Sequence, residues 1–188
     1  MKPDKLLVIG GSAGSLQVIL GILAAEDGFP MPVLVVLHRN AGIESTLEHL
    51  IFTRTGLPIK EVEEKDPLLN GTVYLCPADY HVLLEFDGSF SLDYSERVNF
   101  CRPSIDVSFR SAADVYGVGV LAILLSGGNA DGVEGLQYVR EGGGMTVVQD
   151  PATAEVPYMP QQAVSRVKPD HILAPEDIPV FIRHWALR

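Results

Sequence analysis

Four short stretches constrain this chain more than anything else in it. Leu6–Ile9, Val33–Leu37, Val120–Leu125 and Thr146–Gln149 are apolar runs without a polar face. Strands that bury both faces belong to a parallel sheet covered by helices on both sides. Three of the runs end in residues built for tight turns or chemistry: Gly10-Gly11, His38 and Ser126-Gly127-Gly128. The segments between them read as helices. Leu16–Ala25, Glu44–Arg54, Ser104–Tyr116, Val133–Arg140, Pro160–Val167 and Glu176–Trp185 carry helical patterns or boundary residues, with Gly142-Gly143-Gly144 as a clear stop. Alternation of this kind predicts an α/β, doubly wound, mainly parallel sheet with helices on both faces. The middle differs: Thr72–Leu75, His81–Phe86 and Ser89–Leu92, with Asp87-Gly88 between the last two, read as an antiparallel hairpin insertion.

At 188 residues, the chain is expected to form one domain over 1–188. Apolar residues make up 47% and charged residues 20%, enough for a full core and against disorder. With 24 acidic against 14 basic side chains, the net charge of −10 disfavours nucleic acid as a partner. Val118–Leu125 is too short to span a bilayer, and the first residues lack a signal peptide's apolar segment, so a cytoplasmic protein without membrane insertion is expected. Cys76 and Cys101 do not make a disulfide framework.

The loop Gly10-Gly11-Ser12-Ala13-Gly14-Ser15 follows the first strand. A dinucleotide fingerprint would need glycine where Ser12 and Ser15 stand, and an acidic residue where the second strand ends in His38. The loop does match Gly-x-Ser-x-Gly, in which small neighbours allow a sharp turn that exposes a serine hydroxyl. A plain helix-capping turn is the bland competitor. His38 strengthens the catalytic reading, because carboxyl ends of adjacent parallel strands bring their residues together, and imidazole can take a serine proton near neutral pH. Asp131, in the glycine-rich loop after the third run, is the matching carboxylate; its competing role is to cap the helix over 133–140. His49, His81, His171 and His184 are set aside, as are Glu61, Glu63 and Glu64, which read as a solvated edge. Cys76, Cys101 and His38 show no ligand spacing, so no metal and no cofactor is expected.

These residues resemble a known family, the CheB-type protein-glutamate methylesterase catalytic domain of bacterial chemotaxis. The resemblance runs through Gly10–Gly14, Val35–His38, Gly71–His81, Arg102–Val107, Leu124–Gly127 with Asp131-Gly132, and Gln149–Ala154 with Met159-Pro160. It implies a serine hydrolase with Ser12 as nucleophile, His38 as general base and acid, and Asp131 as orienting carboxylate. The implied substrate is a glutamate methyl ester on a chemoreceptor, with deamidation of receptor glutamines as the related reaction. Ala13 stands where threonine is common, Gly128 where methionine is common, and Pro157-Tyr158 where an aromatic-glycine pair is usual. The usual member also carries a receiver domain ahead of the catalytic one, so this chain reads as a stand-alone esterase or as a piece of a longer protein.

Backbone N–H groups of Ala13, Gly127 and Gly128 are the expected oxyanion donors. Arg39 and Arg102 are the expected docking cations for an acidic substrate, with an ion pair to Asp106 as the other role for Arg102. Two rivals remain: a CheB-like binding module that has lost activity, and a nucleotide-binding enzyme resting on the glycine loop alone. The oligomeric state is left open.

Overall fold

The computed structural model describes residues 2–39 and 44–188, without the side chains of residues 44–46. In chain order the elements are β1 (Leu6–Gly11), α1 (Leu16–Ala24), β2 (Val33–Leu37), α2 (Glu44–Thr55), β3 (Ile59–Glu61), β4 (Val73–Leu75), β5 (His81–Leu84), β6 (Phe90–Asp93), α3 (Ile105–Tyr116), β7 (Val120–Leu124), α4 (Val133–Glu141), β8 (Met145–Gln149), α5 (Tyr158–Val167), β9 (His171–Leu173) and α6 (Ile178–Ala186).

Seven strands form one sheet in the order β3-β4-β2-β1-β7-β8-β9, and every pairing in it is parallel. Strand alternation then divides the apolar runs between two cores. Leu6 and Val8 join α3, α4 and α5 on one face, whereas Leu7 and Ile9 join α1, α2 and α6 on the other. Each such side chain, fully withdrawn from water, contributes roughly 1.5–3 kcal/mol. A sheet with two greasy faces is what the uninterrupted runs require.

One expectation needs correction. Residues 72–75 do not belong to the antiparallel insertion: β4 lies inside the parallel sheet, between β2 and β3. Only β5 and β6 form the antiparallel pair, closed through Asp87-Gly88. The short edge strands β3 and β9 are also additions, and β3 includes Glu61. Three-residue strands are too brief to establish a period, so their pairing comes from the sheet they extend.

The chain winds from β1 to β2 on one side and later returns with β7 on the other. The carboxyl end of β1 is therefore the point where strand order reverses, the usual place for a crevice in an open α/β sheet. Ser12 follows β1, His38 follows β2, and the Ser126–Asp131 loop follows β7.

Candidate active site

The loop after β1 is tied to both neighbouring strand ends. Ser12 N–H donates to Ser126 O at 2.9 Å, and His38 N–H donates to Gly11 O at 3.2 Å. The Ser126 hydroxyl donates to Ala13 O at 2.7 Å. The glycines of the motif have distinct jobs. A Cβ on Gly10 would stand 2.4 Å from Ile105 Cγ2, so glycine lets α3 close onto the sheet edge. Gly14 has φ of +77°, a left-handed conformation that non-glycine residues rarely adopt. Ser15 turns its hydroxyl back to Ser12 O at 2.6 Å and caps no N–H of α1, so the capping reading of this loop does not hold.

His38 and Asp131 meet. Nε2 of His38 lies 2.7 Å from Oδ2 of Asp131, whose side chain is fully buried. Asp131 does not cap α4, whose N-cap position is Gly132 and which has no side-chain cap. It sits instead at the N-terminus of α3. Oδ2 accepts from Ile105 N–H at 2.7 Å, and Oδ1 accepts from the Ser104 hydroxyl at 2.7 Å and from Asp106 N–H at 3.3 Å. Asn99 adds its amide at 3.4 Å. Burial alone would favour the neutral acid, but the His38 contact and these donors outweigh it and hold Asp131 below the usual carboxylate range. The helix dipole acts in the same direction.

For His38, burial opposes the charged form. The hydrogen bond to Asp131 and the Cys101 contact override it and lift the imidazole to about 9. Burial also raises Asp106 to about 6, against the pull of the Gly135 N–H. Among the described residues no hydrogen bond joins the Ser12 hydroxyl to His38. The ring nitrogen that Asp131 does not hold, Nδ1, instead lies 3.5 Å from Cys101 Sγ.

Of the expected oxyanion donors, Gly127 is committed elsewhere, since its N–H donates to Val156 O at 3.0 Å. The N–H groups of Ala13 and Gly128 have no acceptor among the described residues. Both residues are exposed.

The two docking cations require correction. Arg39 bonds to Glu61 and donates to Cys76 O at 3.0 Å, with only 6% of its side chain exposed. Its Nη1, also buried, has no partner among the described residues. Arg102 pairs with Asp79 at 2.9 Å, donates to Tyr94 O and Ser95 O, and covers the Tyr94 ring at 3.8 Å; it makes no pair with Asp106. Neither is a free rim charge, because each guanidinium is held by a carboxylate 22 or 23 residues away in sequence. Arg97, which spacing did not single out, is the exposed cation at a cleft of about 340 Å³ that His38, Arg39, Cys101 and Arg102 also line.

Other residues at the site also escaped the sequence reading. Ser104 caps α3 through Val107 N–H and contacts Asp131; its place after Pro103 at a helix start was the available signal. His81, set aside as marginal, is fully buried and accepts from Ser104 N–H at 3.1 Å. Cys101 lies beside His38 although chain spacing gave no hint of it. Ligand atoms of His38, Cys101 and Asp131 fall within 4.8 Å of one another, which revises the argument from spacing against a metal cluster. Both Asp131 oxygens, however, already serve several donors.

Comparison with known proteins decides the family. Residues 7–182 match the CheB methylesterase family. This chain belongs to that family. A Leptospira interrogans relative, provisionally named protein-glutamate methylesterase/protein-glutamine glutaminase, is 41% identical over 179 residues, covering 94% of this chain and 93% of the relative. A Methanospirillum hungatei protein-glutamate methylesterase/protein-glutamine glutaminase is 36% identical over 98% of this chain, which spans 53% of that relative's length. The crystal structure of the Thermotoga maritima CheB methylesterase catalytic domain superposes with a TM-score of 0.92 at 30% identity, covering 96% of this chain and 98% of that one. The CheB fold thus accounts for both the parallel sheet and the antiparallel hairpin. No described helix is long and apolar enough to cross a membrane.

Proposed function

We propose that this CheB-family chain hydrolyses γ-glutamyl methyl esters on methylated chemoreceptors, and deamidates receptor glutamines by the same acyl chemistry. The observation that carries the reading is the 2.7 Å contact between His38 and a buried Asp131, at the sheet edge where Gly11 O binds His38 N–H beside Ser12.

In this mechanism Ser12 Oγ attacks the ester carbonyl while neutral His38 takes its proton. Asp131 holds Nε2, so Nδ1 is the nitrogen left to serve Ser12, as general base first and general acid later. Catalytic hydrogen bonds are often loose in a free enzyme and tighten around substrate, which accommodates the unmade Ser12–His38 bond. The uncommitted N–H groups of Ala13 and Gly128 receive the oxyanion, each such donor being worth about 3–4 kcal/mol of barrier. His38 then protonates the departing methoxide, and water cleaves the acyl-serine. Glutamine follows the same course with ammonia as the leaving group.

The unmade Ser12–His38 bond is also what a binding module without activity would show. Methanol release from a methylated receptor fragment separates the two readings. Hydrolysis by the native chain, with a loss of about a thousandfold or more in Ser12→Ala, supports the esterase. A folded native chain that releases no methanol supports the binding module.

A further inference from the structure

Cys101 is placed with care for a residue the ester reaction does not need. Val98 and Cys101 exchange backbone hydrogen bonds of 3.1 and 2.8 Å across a two-residue turn whose central residues, Asn99 and Phe100, have φ of 50° and 64°. Two consecutive left-handed residues other than glycine are uncommon and require support from the surrounding structure. The turn sets Cys101 Sγ 3.5 Å from His38 Nδ1, and the Asn129 amide donates to the same sulfur at 3.1 Å. With Nε2 of His38 on Asp131, thiol, imidazole and carboxylate stand in line. That is the layout in which a histidine activates a cysteine. Cys101 lines the cleft of about 340 Å³. The same cleft is lined by Arg39, whose buried Nη1 lacks an acceptor among the described residues. An oxyanion formed at Cys101 is the kind of group such a nitrogen would bind.

We propose that Cys101 is a hydroperoxide-reactive thiol whose oxidation to the sulfenic acid switches off hydrolysis at Ser12. The thiol proton passes to His38 Nδ1, and the sulfur attacks one peroxide oxygen. The S–O bond forms as the O–O bond breaks, and the leaving hydroxide takes the proton of the new S–OH and departs as water, which leaves a sulfenate beside protonated His38. Sulfur is oxidised and the peroxide is reduced. The added oxygen accepts from Nδ1, the nitrogen that Ser12 must use, so the hydrolytic site loses its base until a thiol reductant restores the cysteine. Cys76 cannot substitute, because it is fully enclosed and burial pushes its thiol far up.

The loss-of-activity part rests on the esterase reading, whereas the thiol chemistry does not. The full chain, reduced and then treated with hydrogen peroxide, is trapped with a sulfenic-acid reagent and mapped by mass spectrometry while methanol release is followed in parallel. The adduct is expected on Cys101 and not on Cys76. Hydrolysis should fall in step with the adduct and return with dithiothreitol, and Cys101→Ala should stay active and insensitive to peroxide. Both His38→Gln and the milder Asn129→Ala should slow Cys101 oxidation, the former about tenfold. Oxidation of Cys101 no faster in the native chain than in urea overturns the proposal, as does equal peroxide inactivation of Cys101→Ala. If the native chain releases no methanol yet oxidises Cys101 in a His38-dependent way, the esterase reading fails and the thiol site stands.

Discussion

Helices α1 and α3 both begin at the carboxyl edge of the sheet, and their first turns are treated in opposite ways. At α3 the orphan N–H groups are covered: Ser104 caps one, and Asp131 from another loop takes those of Ile105 and Asp106. At α1 there is no side-chain cap and no acidic residue in the first turn. The closed end holds a carboxylate ionised in a dry place, where it can orient His38. The open end leaves the Ser12 hydroxyl and the Ala13 N–H without a partner among the described residues. Packing follows the same division. Gly135 of α4 lies so close to α3 that a Cβ would stand 2.8 Å from the Asp106 Cα, whereas Gly21 of α1 has nothing within 4 Å. One region is closed by capping and tight packing, and the other is left open.

The largest test of this contrast is Asp131→Ala. It strands the Ser104 hydroxyl, two helix N–H groups and a half-buried imidazolium at once. Loss of one partner from a buried charged pair typically costs about 3–5 kcal/mol, so urea unfolding should show a loss of that order together with loss of hydrolysis. A stability change below 1 kcal/mol would break the contrast.

A matched glycine pair comes next. Gly135→Ala forces a methyl group against the α3 backbone and should destabilise by about 1–3 kcal/mol. Gly21→Ala, in open space on α1, should stabilise by roughly 0.5–1 kcal/mol through helix propensity. Thermal melts of the two variants should move in opposite directions; equal shifts would mean that α1 is packed as tightly as α3.

The pH dependence has a smaller effect, and its sign follows from His38. Its folded value of about 9 lies above the unfolded value of 6.5. The His38–Asp131 pair therefore contributes fully below about 6.5, and the contribution fades as pH rises through 9. Hydrolysis should run the other way, rising by about tenfold per pH unit toward pH 9 as neutral imidazole becomes available. An activity plateau that begins near pH 6.5 would contradict a base held charged by Asp131.

The parts of the molecule legible in the sequence are those where a single local pattern carries the information. The uninterrupted apolar runs announced β1, β2, β7 and β8, and the turn residues beside Ser12, His38 and Asp131 marked the edge where they meet. Residues 72–75 were misplaced because three apolar residues before a hairpin look alike in either pairing. Arg39 and Arg102 looked like free charges because their partners, Glu61 of β3 and Asp79 of the turn before β5, stand 22 and 23 residues away in sequence. Cys101 gave no signal because its histidine lies 63 residues away in sequence. What long-range pairing decides, local pattern does not reveal.

The smallest expected change in stability is also the sharpest: Ser12→Ala should leave unfolding unchanged within about 0.5 kcal/mol, since no described group bonds to the hydroxyl. The most direct test of the central claim is therefore covalent. A fluorophosphonate reagent, read by intact mass and peptide mapping, should place one adduct on Ser12 in the native chain. His38→Gln should slow the labelling by a hundredfold or so, and Ser12→Ala should abolish it while remaining folded. A folded native chain that takes no adduct at Ser12, or one labelled at the same rate without His38, would contradict the triad.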